Sequence, residues 1–144
     1  MLTRRDSLRC LAALAELGLL SQFADARAQT AGQASPPRPP VFVHDLPNVT
    51  MEDWQVTVSE VVYEPGRIGT AHKHPGFVLA YVLEGAVVTK ISGQGDEKTY
   101  TTGQMFYEQP GSTHEVSRNA SQTQPARLLA LIFAKRGLAL TTPA

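Results

Sequence analysis

The sequence predicts a small all-β domain, a sandwich or a barrel, and three observations carry that prediction. Between about Val41 and Gly137 the chain breaks into short runs of β-branched and aromatic residues. Pro65-Gly66, Pro75-Gly76, Gly93-Gln94-Gly95-Asp96 and Pro110-Gly111 separate those runs with residues that close turns. No apolar repeat of helical period competes with them outside the N-terminal segment.

That N-terminal segment comes first in chain order and stands apart in composition. MLTRRDSLR, with Arg4 beside Arg5, is a short basic stretch; LAALAELGLL is apolar but broken by Glu16; and Ala26-Arg27-Ala28 fits an A-x-A cleavage site. The apolar run is too short to span a membrane. Thr3 to Arg9 resembles a twin-arginine export signal, with Ser7 where an apolar residue is usual. Residues 1–28 are therefore expected to be a signal peptide, with a Sec signal or an uncleaved disordered start as the alternatives. The mature protein is expected to be exported, periplasmic or secreted, with no integral membrane segment. Cys10 is the one cysteine and falls inside this segment, so a mature chain starting near Gln29 has no thiol or disulfide chemistry. Residues 29–40, rich in proline and small polar side chains, read as a linker.

The candidate strands then follow in order: Trp54 to Tyr63, Ile68 to His74, Val78 to Leu83, Ala86 to Ser92, Lys98 to Thr102, Met105 to Glu108, Thr113 to Arg118 and Arg127 to Ala134. With 144 residues, 42% of them hydrophobic, the chain has material for one core, placed at residues 41–137 and followed by a flexible tail at 138–144. Its 13 basic and 13 acidic residues cancel and form no basic block, which argues against a nucleic-acid partner.

The chemistry sits on the histidines. Residues two apart in a strand share a face, so His72 and His74 can converge on one ion from a single segment. A third donor has to come from a neighbouring strand, and His114 is of the right type. His44, beside the linker and without a partner in sequence, is expected to be an ordinary surface or hydrogen-bonded histidine. Imidazole nitrogen suits iron, copper, nickel and zinc.

The order and spacing of these residues resemble the cupin family, a double-stranded β-helix or jelly-roll barrel. Its first motif reads G(x5)HxH(x3-4)E(x6)G; here Gly66 precedes RIGTA, His72-Lys73-His74, Pro75-Gly76-Phe77, and Gly85 closes the frame. Its second reads about G(x5)PxG(x2)H(x3)N; here Gly103 precedes QMFYE, Gln109-Pro110-Gly111 and Ser112-Thr113-His114, with Asn119 one residue late. The resemblance covers about Trp54 to Ala134 and implies that His72, His74 and His114 are metal ligands.

Two positions depart from that pattern. Gln109 replaces the first proline of the second motif, while Pro110-Gly111 keeps the turn. Val78 stands where the family places a glutamate ligand, which leaves three neutral imidazoles around the ion and its charge uncompensated. Such three-histidine cupin sites resemble those of thiol and diketone dioxygenases. Glu108, six residues before His114, is the alternative ligand; Glu84, at a strand end, and Glu115, alternating with an inward His114, are expected to face solvent.

Strand parity also sorts pocket from exterior. If His74 and Val78 face inward, Ala80 and Val82 follow, and Leu79, Tyr81 and Leu83 face out. Val78, Ala80, Met105 and Phe106 are the expected pocket residues, with Phe77 and Tyr107 as further wall candidates. Tyr63, Tyr81 and Tyr107 are each available as an acid/base group, and the sequence selects none of them. The outer face is apolar too and needs a cover, either the chain around Val41 to Val43 or a second subunit, and a homodimer is favoured.

The function expected from this reading is oxygen-dependent oxidation or cleavage of a small organic acid, carbonyl or phenolic compound. The cofactor is a divalent metal, with Fe(II) favoured and Mn, Ni or Zn as alternatives. Metal-assisted isomerase or lyase chemistry, and non-catalytic binding of a small molecule, stay open beside it.

Overall fold

In the computed structural model, which describes residues 37–144, nine β-strands run in order: β1 (Trp54–Tyr63), β2 (His72–Lys73), β3 (Phe77–Glu84), β4 (Ala86–Ile91), β5 (Lys98–Thr101), β6 (Met105–Glu108), β7 (Thr113–Asn119), β8 (Ala126–Lys135) and β9 (Thr142–Pro143). Pro39–Ala144 form one unit. The signal peptide expected at residues 1–28 and most of the expected linker lie outside the described residues. Among the described residues no helix is long and apolar enough to cross a membrane.

All pairings are antiparallel and make two sheets, β1-β8-β3-β6 and β5-β4-β7-β2-β9. β1 and β8 pair over ten residues, from Trp54 opposite Lys135 to Tyr63 opposite Ala126. Along β8 the period-2 pattern is regular: Ala126, Leu128, Ala130, Ile132 and Ala134 are buried, and the residues between them are half-buried. Residues of both sheets meet in one apolar core, with Val78, Ala80, Val82, Phe106 and Leu128 from the first and Val87 and Ile91 from the second. This is the predicted all-β barrel, with Val78, Ala80 and Val82 inward as their parity requires.

Three expectations change. The strand expected over Ile68 to His74 is paired only at His72 and Lys73, with a single bridge from Ile68 to Arg118 before it. Between the two, the Gly69 N–H still donates to the Ser117 carbonyl of β7 at 2.6 Å, an approach so close that a Cβ at this position would press on that same oxygen. The tail expected to be flexible at 138–144 instead carries β9, whose Thr142 and Pro143 pair with Lys73 and His72, and Leu140 packs on the core. Finally, the chain around Val41 to Val43 covers the outer sheet face only in part: Val41 and Val43 are 73% and 78% exposed, while Phe42 between them is half-buried and stacks on His44.

That outer face is covered only in part. Phe77 stacks on Phe133, its cross-strand partner, at 4.6 Å between ring centroids, with Trp54 and Tyr107 at 5.9 and 6.0 Å. His44 lies on Tyr107 at 4.0 Å, and its Nδ1 bonds with the Asp45 carbonyl. Val56, Val58 and Val62 of β1 stay exposed.

Candidate functional site

β2 is short, yet it fixes the first histidine against the third, because His72 and His114 are direct cross-strand partners in β2 and β7. The His72 ring centroid is 5.0 Å from that of His74 and 5.1 Å from that of His114. Two rings bonding one ion through nitrogen at about 2.1 Å would place their centroids roughly 4.5–5.5 Å apart, so the spacing fits a shared ion.

The second ring nitrogens are arranged for the same purpose. His72 Nδ1 donates to the Thr70 carbonyl at 2.8 Å and His74 Nδ1 to the Leu140 carbonyl at 2.7 Å. A proton held on Nδ1 leaves the Nε2 lone pair free, which is how metal-binding histidines are oriented. His114 Nε2 is buried without a hydrogen-bond partner, an orphan that an ion would satisfy. Burial pushes the His74 pKa below the usual imidazole range, against the pull of the Glu108 charge, so the ring is neutral at pH 7.

The carboxylate absent at Val78 stands on the next strand. Val78 and Glu108 are cross-strand partners on β3 and β6, and both face inward. Glu108 is only 5% exposed; its Oε1 lies 3.2 Å from His114 Nδ1 and its Oε2 3.9 Å from His74 Nε2. Donor atoms sharing one ion stand roughly 3–4 Å apart, which the His74 Nε2 and Glu108 Oε2 pair meets, whereas His114 turns Nδ1 to Glu108 and keeps its orphan Nε2 for the ion. As the side chains stand, no three His, Cys, Asp or Glu residues among those described close on a common point. Ion binding therefore asks for rotation about side-chain torsions, with the backbone already in register.

These residues line one wall of a cavity of about 490 Å³, within the range of small-molecule sites. Of the expected pocket residues, Ala80 and Phe106 line it. Met105 does not: its cross-strand partner is Tyr81, so it lies on the outer face. Phe77 and Tyr107 also belong to that face. Val78 points inward, but it is packed in the core rather than on the cavity wall. Glu84 and Glu115 face solvent as expected and pair with Arg127 and Lys90, at 3.5 and 2.8 Å.

The structure selects one tyrosine of three. Tyr63 lines the cavity, where its hydroxyl and that of Ser117 share a 2.7 Å hydrogen bond. Burial pushes the phenol pKa up, only partly offset by Ser117, so Tyr63 holds its proton at neutral pH. The sequence reading missed Ser117, Arg67 and Leu140, which also line the cavity. Ser117 was hidden by a register shift in β7: β4 pairs Lys90 with Val116 but Ile91 with His114, and after that bulge the inward set is Ser117 and Asn119.

An all-β barrel with histidines and a carboxylate at one inward wall defines a class, and sequence comparison names it. Residues 59–132, 74 of 144, match the Cupin_2 family, described as the cupin domain; the chain belongs to this family. No curated protein matches. Among solved structures, the chain is similar to DMSP lyase DddQ from Ruegeria pomeroyi DSS-3, with 18% identity and a TM-score of 0.54 over 62% of this chain and 43% of that one. It is also similar to an oxalate oxidase in complex with the substrate analogue glycolate, with 22% identity and a TM-score of 0.50 over 58% and 44%. A recombinant oxalate oxidase in complex with glycolate gives 17% identity and a TM-score of 0.51 over 81% and 67%. The chain spans less than half the length of the first two, and likeness at these identities shows the fold.

Proposed function

We propose that this cupin is a divalent-metal-dependent enzyme acting on a small organic acid or carbonyl compound. His72, His74, His114 and Glu108 hold the ion. The observation that carries the reading is the buried Glu108 carboxylate between His114 Nδ1 and His74 Nε2, on the strand beside Val78. A carboxylate this deeply buried, with only imidazoles facing it, is costly, and a cation offsets that cost. Glu108 also revises the metal's surroundings from three neutral imidazoles to three imidazoles and one charge.

When bound, the ion supplies Lewis acidity and, if it is Fe(II), one-electron chemistry. The chain's own residues do the rest. The Thr70 and Leu140 carbonyls hold two imidazoles in the ligating tautomer, and the apolar wall of Ala80, Phe106, Leu128 and Ile132 restricts water around a bound substrate. We take oxidation as the first activity, in line with the names of two of the similar structures, both oxalate oxidases, and Fe(II) as the first metal from the imidazole donors. Tyr63 favours a second reading, a lyase or isomerase, because its protonated phenol on Ser117 is placed to move a proton. Metal analysis of protein purified without added metal, followed by oxygen uptake over small carboxylates and carbonyl compounds, tests the reading. Protein that binds no divalent metal overturns it, and turnover without oxygen uptake that is lost in Tyr63→Phe selects the lyase or isomerase.

Export through the Arg4-Arg5 signal and a homodimer belong to the same proposal. The signal's basic start and A-x-A site support the first, and the exposed Val56, Val58 and Val62 of the outer sheet support the second. Cell fractionation and light scattering test them.

A further inference from the structure

Arg118 and Arg127 each face a carboxylate: Arg118 meets Glu97 at 2.9 Å, and Arg127 meets Glu60 at 2.7 Å and Glu84 at 3.5 Å. Arg67 is different. Among the described residues it has no carboxylate partner, although its side chain is exposed and lines the cavity that contains the histidines. Besides those histidines it is the one basic side chain on the described cavity wall.

The guanidinium is held in place. One of its nitrogens donates to the Val62 carbonyl, and its carbon lies 5.3 Å from the centroid of the Tyr63 ring, within cation–π range. The backbone is pinned on both sides: Arg67 N donates to Glu64 O at 3.0 Å, and Asn119 N donates to Arg67 O at 2.9 Å. Asn119 itself is 1% exposed, and its side-chain amide donates to the carbonyls of Tyr63, Glu64 and Gln124. One buried amide thus staples the turn that presents the arginine. A fixed guanidinium with free donors is preorganised for a carboxylate, which it can grip bidentately with little further loss of side-chain freedom.

The cavity wall otherwise includes Val61, Ala80, Leu128, Ala130 and Ile132, which suit a short carbon chain and not an inorganic anion. We infer that the cavity receives a short carboxylic acid, its carboxylate gripped by Arg67 at the mouth and a second oxygen function reaching the histidine and Glu108 end. The second anchor rests on the metal-site reading above; the first does not.

Calorimetric titration of the full chain loaded with Zn(II), using glutarate, pentanoate and inorganic phosphate as probes, tests this. Glutarate is expected to bind the wild type more tightly than pentanoate or phosphate. Arg67→Met should weaken glutarate by about tenfold or more with metal content and melting temperature unchanged, and Arg67→Lys should restore part of the loss. Equal glutarate affinity in the wild type and Arg67→Met overturns the inference. So does phosphate binding as tightly as glutarate, or a wild type that binds no carboxylate. If Arg67→Met fails to fold, Arg67→Lys and the wild-type comparison of glutarate with phosphate decide. A protein that takes up no metal, yet loses carboxylate affinity in Arg67→Met, refutes the metal site and leaves the role of Arg67 standing.

Discussion

Replacing Glu108 with glutamine keeps the shape of the side chain and removes its charge. His74 Nε2, 3.9 Å from Glu108 Oε2, marks the side of the carboxylate on which a cation would sit. A charge pair about 4 Å apart at an effective dielectric of about 20 is worth roughly 4 kcal/mol per unit of charge. Most of that is offset by desolvating a carboxylate that is 5% exposed. The remainder expected is a 10–100-fold loss of metal affinity, about 1.4–2.7 kcal/mol. The assay is competition against a chromophoric chelator for Zn(II) and Co(II), with metal content measured in parallel. The companion variant returns the carboxylate to the strand where the family places it. Val78→Glu alone buries a second carboxylate at a position 1% exposed, and should cost about 3 kcal/mol or more of stability. Combined with Glu108→Val it should regain metal affinity to within about tenfold of wild type, because cross-strand partners place their Cβ atoms about 5 Å apart. Unchanged metal affinity in Glu108→Gln would refute the reasoning outright.

Three further outcomes follow from residues that do not themselves hold the ion. Asn119→Ala leaves three carbonyls and the Ser121 N–H without their side-chain partner, and should lower unfolding free energy by about 2–4 kcal/mol in urea titration. Gly76→Ala drives a Cβ into the Phe133 carbonyl and should cost about 3 kcal/mol or more, whereas Gly95→Ala, with open space but φ of 87°, should cost about 1 kcal/mol; comparison of melting temperatures checks the contrast. Deleting residues 138–144 removes the carbonyl that orients His74 and should weaken metal binding by about tenfold while the barrel, read by circular dichroism, persists.

Much of the barrel was legible because its strands are short runs of β-branched and aromatic residues set off by Pro-Gly and Gly-rich turns. Trp54–Tyr63 and Met105–Glu108 were placed to the residue, and the inward run Val78, Ala80, Val82 follows from alternation alone. The site was legible only as far as residue type and spacing reach. Expecting Met105 and Phe106 both in the pocket conflicts with that alternation, since neighbours in a strand face opposite ways. Glu108 shares its parity with Phe106, but its place opposite Val78 depends on the register of β3 with β6, which no local pattern encodes. Ser117 needed knowledge of the bulge in β7. Leu140 sits in a segment that looks like a tail because β9 is two residues long and has too little sequence to show a period.

The position of β9 bears on how the protein should be handled. Pro143 pairs with His72, so any extension after Ala144 leaves the sheet from beside a proposed ligand. A polyhistidine tag fused there would bring a row of competing imidazoles next to the centre under study, and a metal titration would report the tag as readily as the barrel. A tag that carries no metal donors, or one cleaved before loading, keeps the two apart.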